Sequence, residues 1–420
     1  MRKIKKTISA LLLLALLTVS CCCLFACDKA NDSGDVTTLY VYNWGEYISD
    51  GSEDSVDSNE QFEKWYFDTF GERVKVSYST YSSNEDMYAK LSGGAVSYDV
   101  IVPSDYMIER LIKEDKLAPL NYDNIPLAKE NLDSEFFGEN AKYDYYDEGS
   151  VYSVPYFYGM IGIIYNTEMV DEEDIGSWDI MWNEKYKGNI LQFNNSRDAL
   201  GTAQYKLGID VNTDNEAEWR RALEELKAQK NIVQGYVMDE IFNKMEGGSA
   251  AIAAYYAGDF LAMYENNESL DFFYPSEGTN LYVDAMCIPK TSTNKTVAER
   301  YINFMLSVDE KYGAPAIANA EYTYYASPNA KVVESEEYRD YMNEIKDDAF
   351  EKMYDLGHVE APYYENLTPE KLALINELWE ELKSDIDVSP TIYIICIAIV
   401  GSLVGFVTFF GIRKRKRNSY

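Results

Sequence analysis

Acidic and aromatic residues occur side by side at several places in the sequence. Three such stretches are Asn43-Trp44-Gly45-Glu46-Tyr47, Tyr255-Tyr256-Ala257-Gly258-Asp259 and Tyr282-Val283-Asp284. Aromatic faces attract cations and pack against flat methylene chains, while carboxylates pair with ammonium groups. The mixture therefore suits an alkane chain with ammonium ends, although any one of these rings is equally consistent with core packing.

The sequence offers few groups for catalysis or metal binding. Its one histidine, His358, lies in a polar stretch that we interpret as a loop, so a histidine-dependent triad or metal site has almost nothing to use. A Walker-type glycine loop, an HExxH pattern and a CxxC pair in the body of the chain are all missing. The acidic run Asp171-Glu172-Glu173-Asp174 is more typical of a solvated face than of a glycosidase pair. We therefore predict no enzymatic activity, no cofactor and no metal site.

The net charge disfavours nucleic acid and anionic lipid as partners. Of 38 basic residues, four lie in positions 1–26 and five in positions 413–420, where none of the 71 acids lies. The remaining 29 basic residues against 71 acidic ones give the body of the chain a net charge of −42. Such a surface repels nucleic acid and anionic lipid and attracts small cations. A generally acidic proteome would explain the charge equally well, so charge alone names no ligand.

The first residues are typical of a secretion signal. Four cations in positions 1–6 precede an apolar run that ends in Leu24-Phe25-Ala26-Cys27. This ending resembles the lipobox at which bacterial signal peptidase leaves a lipidated cysteine. We predict a lipoprotein signal peptide at 1–26, lipidation of Cys27 and a flexible tether at 27–38. The alternative is an uncleaved membrane helix at 7–26, and Cys21 is a weaker second cleavage site.

The last residues are typical of a membrane anchor. Residues 391–412 form an uncharged run of 22 residues, and five consecutive cations follow at 413–417. We predict a transmembrane helix at 391–412 after a linker at 386–390, with a cytoplasmic basic tail at 413–420. Residues 28–390 are then expected outside the cell. The alternative for 391–412 is a buried core helix.

The body of the chain has the length of two lobes and no predicted disulfide. Besides Cys27 it retains only Cys287, while Cys396 lies in the apolar run near the other end. About 360 residues exceed one ordinary domain and suit two lobes that each bury a core.

Hydrophobic periodicity predicts alternating strands and helices, and therefore a parallel sheet. Strands are predicted at 39–42, 74–81, 99–102 and 154–166. Helices are predicted at 58–70, with Gly71 as the stop, at 84–91 and at 106–114. Thr213 to Glu216 has capping-box spacing before an apolar helix face that includes Trp219, and Thr368-Pro369 begins the last helix of the body.

Several stretches of the body carry a family likeness: 39–47, 78–91, 98–106, Val154-Pro155-Tyr156, Ser177-Trp178 with Tyr186-Lys187-Gly188, 256–259, 284–289 and Ser327-Pro328-Asn329. Together they resemble the spermidine/putrescine-binding proteins of polyamine ABC transporters, and the likeness covers about residues 39–385. The resemblance implies an α/β, type II periplasmic-binding-protein fold with two lobes that close over a ligand in the cleft between them. Lobe 1 would comprise 39–163 with 282–333, and lobe 2 would comprise 164–281 with 334–385. The implied partners are a polyamine such as putrescine or spermidine, an ABC permease and its ATPase, and no nucleic acid.

The resemblance also implies which residues bind the ligand. They are Trp44, Glu46, Tyr47, Ser104, Tyr106, Asp198, Tyr256, Asp259, Tyr282, Asp284 and Tyr325. Asp284 is the expected partner of a terminal ammonium, Asp198 that of a secondary amine or the far end, and Asp259 is typical of putrescine-preferring relatives. The chain departs from the family where Asn195 replaces an acid, Gly45 a hydroxyl residue, and Tyr256 and Tyr282 a tryptophan.

Two alternatives stay open on the sequence. One is a binding protein of the same fold for another cationic or metal-chelate ligand. The other is a membrane-anchored sensor ectodomain.

Overall fold

The computed structural model describes residues 36–52, 55–94, 96–357 and 359–384. Several predictions fall on residues outside these ranges. They are the predicted signal peptide at 1–26, the predicted lipidation of Cys27 with most of the predicted tether, the predicted loop at His358, and the predicted linker, transmembrane helix and basic tail at 386–420. Within these ranges no helix combines the length and apolar character needed to cross a bilayer.

Strands and helices alternate along the described chain, as expected for an α/β protein. The strands are β1 (Val36–Trp44), β2 (Arg73–Tyr81), β3 (Val100–Ile101), β4 (Ser153–Asn166), β5 (Ile190–Phe193), β6 (Val233–Val237), β7 (Ile252–Tyr256), β8 (Leu270–Phe273) and β9 (Leu281–Cys287).

The helices are α1 (Ser58–Phe70), α2 (Asn84–Gly93), α3 (Asp105–Lys113), α4 (Pro126–Asn131), α5 (Ser196–Leu207), α6 (Glu216–Lys230), α7 (Glu240–Glu246), α8 (Ala257–Asn266), α9 (Lys295–Met305), α10 (Pro315–Thr323), α11 (Ala330–Glu334), α12 (Glu336–Ile345), α13 (Ala349–Tyr354) and α14 (Pro369–Ser384). Short 3-10 turns lie at Glu172–Asp174, Trp178–Trp182, Glu184–Tyr186 and Glu310–Tyr312.

The strands form a nine-stranded mixed sheet in the described part of the chain. Its order is β2-β1-β3-β9-β4-β7-β5-β6, and β8 pairs separately with β4. β1 is parallel to β2 and β3, and β5 is parallel to β6 and β7, so the predicted parallel arrangement is confirmed in both halves. β4 and β9 join the halves through antiparallel pairing with each other.

β4 connects the two halves of the sheet. Its residues 153–160 pair with β9, residues 161–165 with β7, and residues 163–166 with β8. Every residue of β4 is buried, which explains why the segment is apolar along its length instead of alternating. The predicted strand at 154–166 is therefore confirmed.

Local signals position the other elements largely as predicted. α1 spans the predicted residues and ends at Gly71, whose φ of 70° lies in the left-handed region that glycine tolerates. The predicted start of α6 at Thr213 was wrong. Asn215 is the N-cap, and its side chain accepts a hydrogen bond from the Ala217 amide at 3.0 Å.

Candidate ligand-binding site

One pocket brings together all the residues that were predicted to bind a ligand. It lies where loops and helix starts follow the strands of both halves of the sheet. The predicted residues that line it are Trp44, Glu46, Tyr47, Ser104, Tyr106, Asp198, Tyr256, Asp259, Tyr282, Asp284 and Tyr325. That these residues bind a ligand remains a proposal.

The loop after β1 places Trp44, Glu46 and Tyr47 on one wall. The indole of Trp44 donates a hydrogen bond to the Val102 carbonyl at 2.9 Å, which fixes the ring beside the end of β3. Glu46 has a φ of 49°, in the left-handed region that a non-glycine residue seldom adopts. This turn leaves Glu46 exposed at the mouth of the pocket while Tyr47 is buried.

Asp284 lies on β9, the strand through which the two halves of the sheet meet. Its side chain is buried, and its Oδ2 accepts a hydrogen bond from the Tyr47 hydroxyl at 2.6 Å. Its Oδ1 is buried with no hydrogen-bond partner among the described residues. Burial raises the pKa of Asp284 to about 6, although the hydroxyls of Ser104 and Tyr47 favour the ionised form. The free oxygen is an acceptor available to a cationic ligand.

Asp198 lies in the first turn of α5 and is held by its neighbours. Asn195 caps the helix by accepting from the Asp198 amide at 2.8 Å, and its Nδ2 donates to the Asp198 carboxylate at 2.7 Å. The Tyr256 hydroxyl donates to the same carboxylate at 2.7 Å. Burial raises the pKa of Asp198. Asn195 therefore orients the Asp198 carboxylate. Asn195 itself stands where the resemblance led us to expect an acid.

Asp259 lies in the first turn of α8, beneath the mouth of the pocket. The Tyr325 hydroxyl donates a hydrogen bond to it at 2.9 Å. Gly258 allows this approach, since a Cβ there would lie 2.3 Å from the Tyr325 ring. Burial, together with the charges of Asp239 and Glu46, raises the pKa of Asp259 to about 8. A cation between these acids would reverse that effect.

Ser104 and Tyr106 flank the start of α3. Asn84 holds Ser104 by donating to its hydroxyl at 3.0 Å and accepting from its amide at 3.1 Å. The Tyr106 hydroxyl donates to Glu85 at 3.0 Å. These contacts position side chains from two helix starts against the same pocket.

Aromatic rings form a continuous apolar wall. Tyr47 and Tyr325 pack edge to face with their ring centroids 4.7 Å apart, and Tyr256 and Tyr282 do so at 5.5 Å. Tyr282 and Tyr325 connect the two pairs at 6.4 Å. Such a surface suits methylene groups and favours nearby cations.

Three pocket-lining acids were missed by the sequence reasoning: Glu85, Asp105 and Asp239. Each lies at a helix start, where acids are common because they favour the helix dipole, so none stood out. The Tyr145 hydroxyl donates to Asp105 at 2.6 Å, and burial raises the pKa of that acid to about 7. The signal that would have found them is their place directly after a strand of the sheet.

The charged side chains that line the pocket are all acidic. Among the described residues that line it, seven carry carboxylates and none is lysine or arginine. Groups of three or more histidine, cysteine or acidic side chains suited to a metal ion are not found in the described part of the chain. Carboxylates, hydroxyls and rings can hold an organic cation by ion pairs, hydrogen bonds and ring contacts.

Comparison with known proteins gives consistent similarities. Residues 59–346 match the family of bacterial extracellular solute-binding proteins. The spermidine/putrescine-binding periplasmic protein of Salmonella typhimurium is 33% identical over 304 residues, which are 72% of this chain and 80% of that protein.

Solved structures show the same similarity. The spermidine/putrescine ABC transporter substrate-binding protein of Streptococcus pneumoniae has a TM-score of 0.61 at 32% identity, covering 83% of this chain and 98% of that one. A lipoprotein of Treponema pallidum has a TM-score of 0.61 at 25% identity, covering 82% of this chain and 99% of that one. The predicted periplasmic-binding-protein fold is thereby confirmed for the body of the chain.

Proposed function

This chain belongs to the family of bacterial extracellular solute-binding proteins, and from that membership we propose that it captures a polyamine outside the cell for an ABC importer. Putrescine and spermidine are the proposed ligands, since they are the ligands named for its relatives. The proposed partners are the permease that receives the polyamine and the ATPase that drives transport. Catalysis has no part in this function.

The observation that carries the proposal is the combination of carboxylates and aromatic rings in one pocket. A polyamine at neutral pH is an apolar chain with charged amines, and moving those charges out of water is costly unless each meets a carboxylate. Asp198, Asp259 and Asp284 supply carboxylates at separate points of the pocket wall. The rings of Tyr256 and Tyr282 supply the apolar surface between them.

The raised pKa values support a cationic ligand. Like charges and burial both disfavour ionised carboxylates in the empty pocket. An incoming ammonium group relieves both effects, because it replaces lost water contacts and neutralises repulsion. A neutral or anionic ligand would leave the carboxylates without compensation.

We propose that the two halves of the sheet belong to two lobes. We assign 39–163 with 282–333 to lobe 1 and 164–281 with 334–385 to lobe 2. Glu46 and Ser104 would then face Asp198 and Asp259 across the cleft, while Asp284 lies at the junction on β9. Closure of the lobes around the ligand would complete its contacts with both walls.

Two membrane anchors are proposed on the sequence alone. Lipidation of Cys27 would hold the start of the body, and a helix at 391–412 would hold its end. The relative in Treponema pallidum is itself a lipoprotein. The six residues 385–390 reach only about 20 Å when extended, so the cleft would stay near a permease in the same membrane.

Calorimetric titration of the full chain in detergent tests the function. Putrescine, spermidine and spermine are compared with calcium, zinc and iron ions under the same conditions. We expect saturable binding of at least one polyamine and none of the metal ions at comparable concentration. Absence of polyamine binding at millimolar concentration would refute the proposed function, and preferential binding of a metal ion would favour the alternative ligand class.

A further inference from the structure

Asp239 lies at the mouth of the pocket, immediately after β6, as the N-cap residue of α7. An aspartate at this position ordinarily accepts a hydrogen bond from an amide of the first helical turn. The Asp239 side chain makes no such capping bond. Its carboxylate is therefore not used to begin the helix and is directed elsewhere.

The Asp239 carboxylate lies against Gly45 on the opposite wall. A Cβ at Gly45 would lie only 3.0 Å from Asp239 Oδ2. The φ angle of Gly45 is outside the left-handed region, so the backbone itself does not require glycine here. Because Gly45 has no side chain, it leaves room for the Asp239 carboxylate on the opposite wall.

Asp239 adds a third acid to one end of the pocket. Glu46 follows Gly45 directly and is exposed at the mouth, while Asp259 is buried beneath it. The charges of both Asp239 and Glu46 act on Asp259. A primary ammonium group has three N–H donors, so three acceptor groups around one position match it, whereas a secondary amine offers only two.

We propose that Asp239 is a further ligand-binding residue, that Gly45 provides the space for its carboxylate, and that this end of the pocket takes a primary ammonium group. The inference rests on the proposed polyamine-binding function and adds a residue from the second half of the sheet. Specificity for a terminal amine at this end then depends on Gly45 and Asp239, which face each other across the pocket.

The test is a titration of the full chain with putrescine, comparing Asp239→Asn with Glu240→Gln. Both variants remove one negative charge at adjacent positions, but Glu240 does not line the pocket. Because Asp239 is exposed to solvent, we expect Asp239→Asn to weaken binding about three- to tenfold and Glu240→Gln to leave it within about twofold. Equal effects of the two variants would overturn the inference.

Gly45→Ala tests the second half of the inference. The added methyl group should shift the Asp239 carboxylate and weaken putrescine binding, by no more than Asp239→Asn does. In the Gly45→Ala/Asp239→Asn double variant the losses should not multiply, because both changes remove the same contact. Multiplying losses would overturn the role of Gly45. Failure of the wild-type chain to bind any polyamine would instead refute the proposed function and this inference with it.

Discussion

Asp284→Asn separates the contribution of the buried carboxylate to binding from its contribution to stability. The substitution keeps the shape of the side chain and an oxygen that can accept from the Tyr47 hydroxyl, which now donates to Asp284 at 2.6 Å. It removes the charge and leaves a ligand ammonium in this position without a partner. The loss of one partner of a desolvated ion pair typically costs about 2–5 kcal/mol, or roughly 30-fold to several thousandfold in affinity.

The same substitution should stabilise the empty protein. Burial raises the pKa of Asp284 from 3.8 to about 6, so the folded chain holds this proton more tightly than the unfolded chain. Stability from this group is therefore present at acid pH and is lost as the pH rises from about 4 to about 6, which amounts to about 3 kcal/mol at neutral pH. Asparagine carries no charge and avoids this loss.

Calorimetric titration with putrescine and thermal unfolding without ligand measure the two effects separately. Glu172→Gln is the matched control, since Glu172 is an exposed acid on a 3-10 turn that does not line the pocket, and it should change neither quantity. Putrescine affinity of Asp284→Asn within twofold of the wild type would refute the site assignment. A lower melting temperature of the empty variant would refute the argument from burial.

The remaining predictions concern the rings, the pH and the anchors. Tyr282→Ala should weaken putrescine binding by about 1–2 kcal/mol through lost packing and cation–π contact, and Tyr282→Phe should keep most of the affinity; equal losses in the two would point to the hydroxyl instead. Putrescine affinity should fall from about pH 8 to about pH 5, because the raised pKa values of Asp259, Asp105 and Asp284 let protons compete with the cation; affinity that rises on acidification would contradict this. Cys27→Ala should remain in the membrane fraction, because a spanning helix at 391–412 holds more firmly than acyl chains, and release of the variant into the medium would exclude the second anchor.

Much of the fold follows from local sequence signals. The helix at 58–70 was predictable because buried rings recur at helical spacing and Gly71 ends it. The strand at 154–166 was predictable because a segment buried on every side is apolar throughout. The start of α6 was misplaced because Thr213 and Asn215 are both suitable caps, and only the packed structure selects between them.

The pocket was less predictable than the fold. The acids next to conspicuous rings, such as Asp259 and Asp284, were found because composition and resemblance point to the same residues. Glu85 and Asp105 were missed because an acid in the first turn of a helix already has a local explanation. Asp239 was missed because its neighbour in the pocket, Gly45, is nearly two hundred positions away, and no local pattern reports such a contact.

The antiparallel junction between β4 and β9 has a consequence for how the chain acquires its structure. β3 pairs with β9, and the hydrogen bond from Tyr47 to Asp284 joins residues 237 positions apart. β3 can pair with β1, and the second part of β4 with β7 and β8, before β9 has emerged. The other edge of β3 and residues 153–160 of β4 pair only with β9, so they stay without that partner until β9 has crossed the membrane. Contacts so distant in sequence slow folding and leave strand edges exposed to aggregation. The sheet should therefore be completed outside the membrane only after β9 has emerged. Chains truncated before β9 should be degraded and should not accumulate.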